Sequence, residues 1–227
     1  MSTPSQAGDR QRKNSPAART ASTSLTDEIY QILKWRILSM EMAPGMLLNE
    51  QSLVESTGFG RAPIHQALHR LQYDGLVEIR PRKGAQVKTW SPRDLAHLME
   101  ARLPLETAMV RLAAERAEDR DIRALREKLD GGPALLAASD REGLMRLDEE
   151  FHESLARFAQ SPVLAELVEN LHHRSSLLWY SPISGRKEYE VVLQQHEQIL
   201  AAVEKHDPDA AARAMSDHLS TLKSSAK

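Results

Sequence analysis

Apolar residues recur at helical spacing along most of this chain, and one short stretch near residue 80 alternates instead. Leu25, Ile29, Ile32, Leu33, Ile37 and Met40 share one helical face, begun by a capping pair of Ser24 with Asp27 three residues on. Pro44-Gly45 then makes a turn, and Leu47 and Leu48 lead into Asn49–Val77. That segment predicts two short helices. Glu50–Thr57 forms the first, with Leu53 and Val54 inward, and Gly58 sits where a helix end needs positive φ. The second opens near Gly60 with Pro63 in its first turn and buries Ile64, Ala67, Leu68 and Leu71. Its other face carries Arg61, His65, His69 and Gln72. Leu76–Ile79 and Ala85–Thr89 alternate around Pro81-Arg82-Lys83-Gly84, the pattern of a hairpin with a basic tip.

Ser91-Pro92 is a helix-start signal, and everything beyond it reads as helix. The predicted segments are roughly 92–117, 119–130, 133–139, 141–159, 161–180, 187–205 and 208–223. Gly131-Gly132-Pro133, Ser181-Pro182 with Ser184-Gly185, and Asp207-Pro208 are the breaks. Residues 1–23 have almost no large apolar side chain and read as a disordered tail. The expected architecture is therefore mainly α: a winged helix-turn-helix over 24–90 with a small β-hairpin wing, then an all-α antiparallel bundle over 91–227. Long polar donors on the outer face of a helix behind a glycine turn suit a DNA groove.

Composition narrows the chemistry. There is no cysteine, which excludes disulfides and thiolate metal sites. No run of 18 or more apolar residues and no signal-peptide core occurs, so no membrane association is expected and a cytoplasmic location is the default. The net charge of −2 hides an asymmetry: residues 1–90 carry 12 Lys+Arg against 8 Asp+Glu, and residues 91–227 carry 18 against 24. A basic front joined to an acidic back points toward a nucleic-acid module attached to something else.

Polar residues in the second half fall on apolar faces. Leu144, Leu147, Phe151, Leu155 and Phe158 share a face, with Asp148 beside it and His152 a further 40° round, spaced i, i+4. His196 sits amid Val192, Ile199, Leu200 and Val203, and His218 amid Ala211, Met215, Leu219 and Leu222. One histidine on an apolar face is ordinarily a hydrogen-bonded core residue. Three helices aiming imidazole or carboxylate into one core point instead to a divalent metal, with Zn²⁺, Ni²⁺, Mn²⁺ and Fe²⁺ all suited. Arg102 and Glu106 fall within the stripe of Leu95, Leu98, Met99, Leu105 and Met109. They read either as an internal ion pair or as an effector site in which Arg102 clamps a carboxylate. His69, His97, His172, His173 and His206 read as surface or incidental.

Two resemblances cover nearly everything after the tail. Residues 25–89 resemble the DNA-binding domain of GntR-family bacterial regulators at Pro44-Gly45, Leu48-x-Glu50, Gly58-x-Gly60-Arg61-Ala62-Pro63-Ile64, Ala67-Leu68-x-x-Leu71, Asp74-Gly75-Leu76-Val77 and Gly84-Ala85-x-Val87. The resemblance implies DNA contacts at Gln51, Gly60, Arg61, Ala62, His65, Arg82, Lys83 and Gly84. It also exposes departures: His65 and Gln51 stand where relatives carry arginine, Gly60 where they carry serine, and Ala62 where they carry threonine. The second half is similar to the FCD effector domain of the FadR subgroup at Glu100-x-Arg102-x-x-x-Glu106, Asp148-x-x-x-His152, Gln195-His196-x-x-Ile199-Leu200 and Met215-x-x-His218-Leu219. This implies metal ligands Asp148, His152, His196 and His218, and an arginine, Arg102, lining the effector pocket. Pro104 departs from many relatives and is placed to bend its helix. The resemblance implies a homodimer that binds a pseudo-palindromic operator in double-stranded DNA and responds to a small organic acid. Three alternatives stand beside this: a sensor whose signal is the metal itself, a metal-dependent hydrolase, and a protein-binding module that has lost DNA contact.

Overall fold

The computed structural model describes residues 24–179 and 185–225. The expected tail over 1–23 and the break at Ser181-Pro182 with Ser184 lie outside the described residues. The first helix, α1 (Leu25–Leu38), starts from the Ser24/Asp27 capping box and buries Ile29, Tyr30, Leu33 and Ile37. β1 (Leu47–Leu48), α2 (Glu50–Thr57), α3 (Arg61–Tyr73), β2 (Val77–Arg80) and β3 (Gly84–Val87) follow. Asn49 caps α2, and Gly58 ends it at φ +75°, a conformation that a Cβ would strain. The hairpin pairs Val77 with Val87 and Arg80 with Gly84. Alternation does not reveal the third strand: Leu47 and Leu48 pair with Gln86 and Ala85, giving the order β1-β3-β2. Two residues are too few to show a period of two.

The remaining helices are α4 (Pro92–Arg116), α5 (Asp119–Leu129), α6 (Gly132–Ala138), α7 (Arg141–Phe158), α8 (Pro162–Trp179), α9 (Arg186–Glu204) and α10 (Pro208–Ser225). They match the predicted segments to within a few residues at each end. Pro104 does not interrupt α4, which runs as one helix through it. The Thr107 hydroxyl, one turn on, donates to the Leu103 carbonyl at 2.7 Å.

Two hydrophobic clusters result. One joins α1, α2, α3 and the small sheet around Ile29, Leu33, Ile64, Leu68 and Leu71, and it takes in Met145 from α7. The other lies among α4, α5, α7, α9 and α10 around Met109, Phe151, Leu155, Ile199 and Met215. In each, a buried leucine truncated to alanine costs about 2–5 kcal/mol. Among the described residues, no helix is long and apolar enough to cross a membrane.

Candidate functional site

The second cluster holds a polar centre. His152 on α7, His196 on α9 and His218 on α10 are 3%, 1% and 1% exposed, and one ring nitrogen from each lies within 4.8 Å of the others. Ring centroids stand 4.9 Å apart for His196–His218, 5.3 Å for His152–His196 and 5.5 Å for His152–His218. Asp148 Oδ1 approaches His196 Nε2 at 3.5 Å and His152 Nε2 at 3.9 Å. The four residues expected from the sequence to share an ion thus come together.

Neighbours fix how these rings present themselves. Gln195 Nε2 donates to Thr221 Oγ1 at 2.8 Å, which turns its amide oxygen toward His218 Nδ1 at 3.0 Å. His218 therefore keeps its proton on Nδ1 and leaves the Nε2 lone pair free. Glu106 Oε2 lies 3.4 Å from His152 Nδ1, close to that ring but outside hydrogen-bond geometry. The His196 ring stacks on Phe151 at 4.0 Å. Burial holds His196 well below its ordinary pKa, with the His218 and His152 rings adding to the effect. Burial, then His152 and Arg102, bring His218 down to about 3. Both rings are neutral at physiological pH, the state a metal requires. Among the described residues, His152 Nδ1, His196 Nε2 and His218 Nε2 have no hydrogen-bond partner although buried. Such atoms are costly unless something fills the space between them. Neutral imidazoles with a carboxylate, and no thiolate, fit Zn²⁺, Ni²⁺, Mn²⁺ or Fe²⁺.

Arg102 and Glu106 are both an ion pair and part of this centre. Arg102 is 1% exposed. Its Nε donates to Glu106 Oε1 at 2.5 Å and its Nη1 to Ser175 Oγ at 2.8 Å. Burial opposes the Glu106 charge, but Arg102 and His152 outweigh it and hold the carboxyl at about 2. A cavity of about 10 Å³ lies against Arg102, Asp148, His152, His172, Ser175, Ser176 and His218. That space takes about one water or one ion.

His172 corrects the sequence reading, which treats it as incidental. It is 5% exposed, with its ring centroid 4.4 Å from that of His152 and its Nε2 3.4 Å from Asp148 Oδ2. Arg102 Nη2 stands 3.5 Å from its Nδ1 and can only donate, so the ring proton sits on Nε2. In that tautomer His172 turns an N–H toward the centre; in the other, its Nε2 would form a ligand group with Asp148 and His152. A signal existed: Leu164, Val168 and His172 follow one another at i, i+4, the same pattern that singles out His196. His173 is likewise partly buried, against Lys34 and Glu149. His206 bonds the Ala114 carbonyl, while His69 and His97 are exposed as expected.

At the other end of the chain, Gln51, Gly60, Arg61, Ala62, His65, Arg82, Lys83 and Gly84 are all exposed. Gly60 begins α3 with no side-chain cap. Arg61 Nη2 donates to Gln51 Oε1 at 2.9 Å, and Gln51 Nε2 to Glu55 Oε1 at 2.8 Å. His65 Nδ1 lies 3.1 Å from Glu50 Oε1. At the wing tip, Arg82 and Gly84 take φ of +64° and +82°, which turns the chain around Lys83.

A helix pair with an exposed second helix and a basic wing, joined to a helical domain with a polar centre, defines a winged helix-turn-helix transcription regulator. Comparison with known families matches residues 25–87 to "Bacterial regulatory proteins, gntR family" and residues 97–221 to the FCD domain. The chain belongs to the GntR family of transcription regulators and carries an FCD effector domain. It is 28% identical over 203 residues to the HTH-type transcriptional repressor RspR of Escherichia coli K12, covering 89% of each chain. It is 30% identical to the repressor NanR of Enterobacter sp. strain 638, covering 94% of this chain and 88% of that one. The fold is shared with E. coli McbR/YncC, at a TM-score of 0.78 and 23% identity over 88% of this chain and 95% of that one.

Proposed function

We propose that this regulator binds a pseudo-palindromic operator as a homodimer, and that a small carboxylate bound at a divalent metal in the helical domain controls its DNA affinity. The chain would divide near residue 90 into a DNA reader and a metal- and effector-binding, dimerising bundle. One observation carries the reading: buried imidazoles from α7, α9 and α10 meet beside Asp148, and each has a ring nitrogen with no hydrogen-bond partner among the described residues. Asp148, His152, His196 and His218 would hold the ion, which supplies a Lewis-acid position for an anionic ligand. Gln195 would orient His218. Arg102 would present its charge to the ligand while tied to Glu106 and Ser175. Arg61 and His65 would face base edges, and Arg82 and Lys83 would contact phosphate.

A second reading has an observation of its own. The cavity of about 10 Å³ admits an ion and no organic acid, which favours a sensor whose signal is the metal itself. Mass spectrometry of the metals and small molecules retained by the purified protein separates the two. The test continues with binding to library-selected DNA, with and without each retained species. Retained organic acid that changes DNA affinity supports the first reading, and a response to metal alone supports the second. His196→Ala and His218→Ala should each lower the bound metal, and unchanged metal in both would refute the ligand set.

A further inference from the structure

We propose that His65 and His69 form a second divalent-metal site, on the exposed face of the recognition helix α3, and that metal and DNA compete for it. The two histidines stand one helical turn apart, so both rings rise from the same face. His65 Nε2 and His69 Nε2 are 3.2 Å apart, with ring centroids at 4.6 Å and planes at 77°. Two imidazole nitrogens bound at about 2.1 Å to one ion stand about 3.0 Å apart at a right angle and about 3.4 Å apart at the tetrahedral angle. The observed separation lies between these values.

A second observation points the same way. Glu50, at the start of α2, places Oε1 3.1 Å from His65 Nδ1. The carboxylate keeps the His65 proton on Nδ1 and aims the Nε2 lone pair at His69. Such a carboxylate–histidine arrangement behind a metal-facing nitrogen fixes the tautomer and raises the basicity of the ligand. Without an ion, the 3.2 Å contact is a hydrogen bond in which His69 Nε2–H donates to His65 Nε2. The ion takes the place of that proton, and His69 carries it on its other ring nitrogen. Unlike the centre in the helical domain, this site is open: His65 is 57% exposed and Glu50 44%. Ions would exchange rapidly, and the remaining coordination positions would belong to water.

The functional consequence follows from where α3 lies. His65 and His69 can offer donors and acceptors to base edges only while their nitrogens are free. An ion bridging the pair occupies both. DNA and metal are then linked through the same atoms, so each weakens the other by the same factor.

Titration calorimetry of the full chain with Zn²⁺ alone tests this. The expected result is two classes of site, the weaker one lost in His65→Gln and His69→Gln and kept in His196→Ala. Glu50→Gln should weaken that class by about tenfold. His65 and His69 are exposed and Glu50 is partly exposed, and an unchanged melting temperature confirms that the fold survives each substitution. On library-selected DNA, Zn²⁺ at concentrations that fill the weaker class should reduce binding of the wild type and leave His69→Gln unaffected. Identical Zn²⁺ titrations of wild type and His69→Gln would overturn the site. Equal loss of DNA binding in both proteins would overturn the competition and assign the zinc effect to the helical domain.

Discussion

Lys34 on α1 and Glu149 on α7 form an ion pair with only 3% and 13% of their side chains exposed. His173 on α8 joins them, its Nε2 2.9 Å from Lys34 Nζ and 3.3 Å from Glu149 Oε1. Glu149 follows Asp148 in the chain, and His173 follows His172. One member of each neighbouring pair faces the polar centre, and the other holds the first helix of the DNA reader. Further contacts run the same way: Arg146 covers the Trp35 ring at 4.1 Å, and Tyr73 donates to Glu166 at 2.8 Å. Movement of α7 or α8 at the centre would therefore bear on α1 through the buried contacts of Lys34 with Glu149 and His173.

Breaking that pair on one side leaves a charge buried without its counterpart. Lys34→Met should destabilise the protein by about 3 kcal/mol, whereas replacing both partners by apolar residues should recover most of the loss. Denaturant unfolding of Lys34→Met and of the Lys34→Met/Glu149→Leu double variant measures both. Equal stability of the single variant and wild type would remove the pair from the stabilising contacts.

The same pair should carry metal occupancy to the reader. Adding Zn²⁺ to metal-stripped wild-type protein should slow amide exchange in α1 as well as around His152 and His196. In the double variant, protection should still rise at the histidines and no longer at α1. Protection of α1 that persists in the double variant would show that coupling follows another route.

His172 Nε2 lies within reach of Asp148 and His152, and we expect it to support the centre without serving as a ligand. Its Nε2–H faces Asp148 Oδ2, and Arg102 backs its Nδ1. His172→Ala should weaken metal binding about 10- to 100-fold, the range for loss of a group behind a ligand. His196→Ala should cost more than His172→Ala. Competition titration against a chelator ranks them, and a His172→Ala loss equal to that of His196→Ala would make His172 a ligand.

Tyr30 and Asp74 make a pH-dependent contact in the reader. The Tyr30 hydroxyl donates to Asp74 Oδ2 at 2.6 Å, and both residues are buried. Burial, then the Asp74 charge, push the Tyr30 pKa far above its ordinary value. A raised pKa contributes stability that is complete below the unfolded value, about 10 for tyrosine, and declines as pH rises beyond it. Wild-type stability should therefore fall above about pH 10, with a shallower fall in Tyr30→Phe. At neutral pH, Tyr30→Phe should cost about 1–3 kcal/mol, because Asp74 keeps its burial and loses its donor. Urea unfolding at a series of pH values measures both effects.

The sequence exposes the fold through its periods, its caps and its glycine stops, because each is local. The polar residues of the second half are legible for a similar reason: His196 and His218 interrupt an apolar stripe on their own helices, and Asp148 and His152 flank one at i, i+4. His172 obeys the same rule but has a second histidine beside it and two serines after it, which blur the stripe. Lys34 is hidden more deeply. A lysine on a helix reads as a solvated side chain, and its partners lie 115 and 139 residues away. Only the tertiary arrangement brings them together. The Glu50–His65 contact is hidden in the same way, since it depends on how α2 crosses α3.

The departure at position 65 sets the last expectation. Arg61 is tied to Gln51, so the reading face depends on His65 more than the arginine count implies. An uncharged imidazole offers one donor and one acceptor, whereas an arginine there could grip a guanine with two parallel hydrogen bonds. Such a contact discriminates by about 1–3 kcal/mol, or about thirtyfold in affinity at the middle of that range. Glu50, 3.1 Å from the imidazole, would draw part of the new charge and hold the gain toward the lower end. His65→Arg should bind library-selected DNA several-fold to tenfold more tightly, with a sharpened guanine preference at one position of each half-site. Selection and fluorescence anisotropy at fixed salt measure this, and unchanged affinity with unchanged base preference would remove His65 from the reading face.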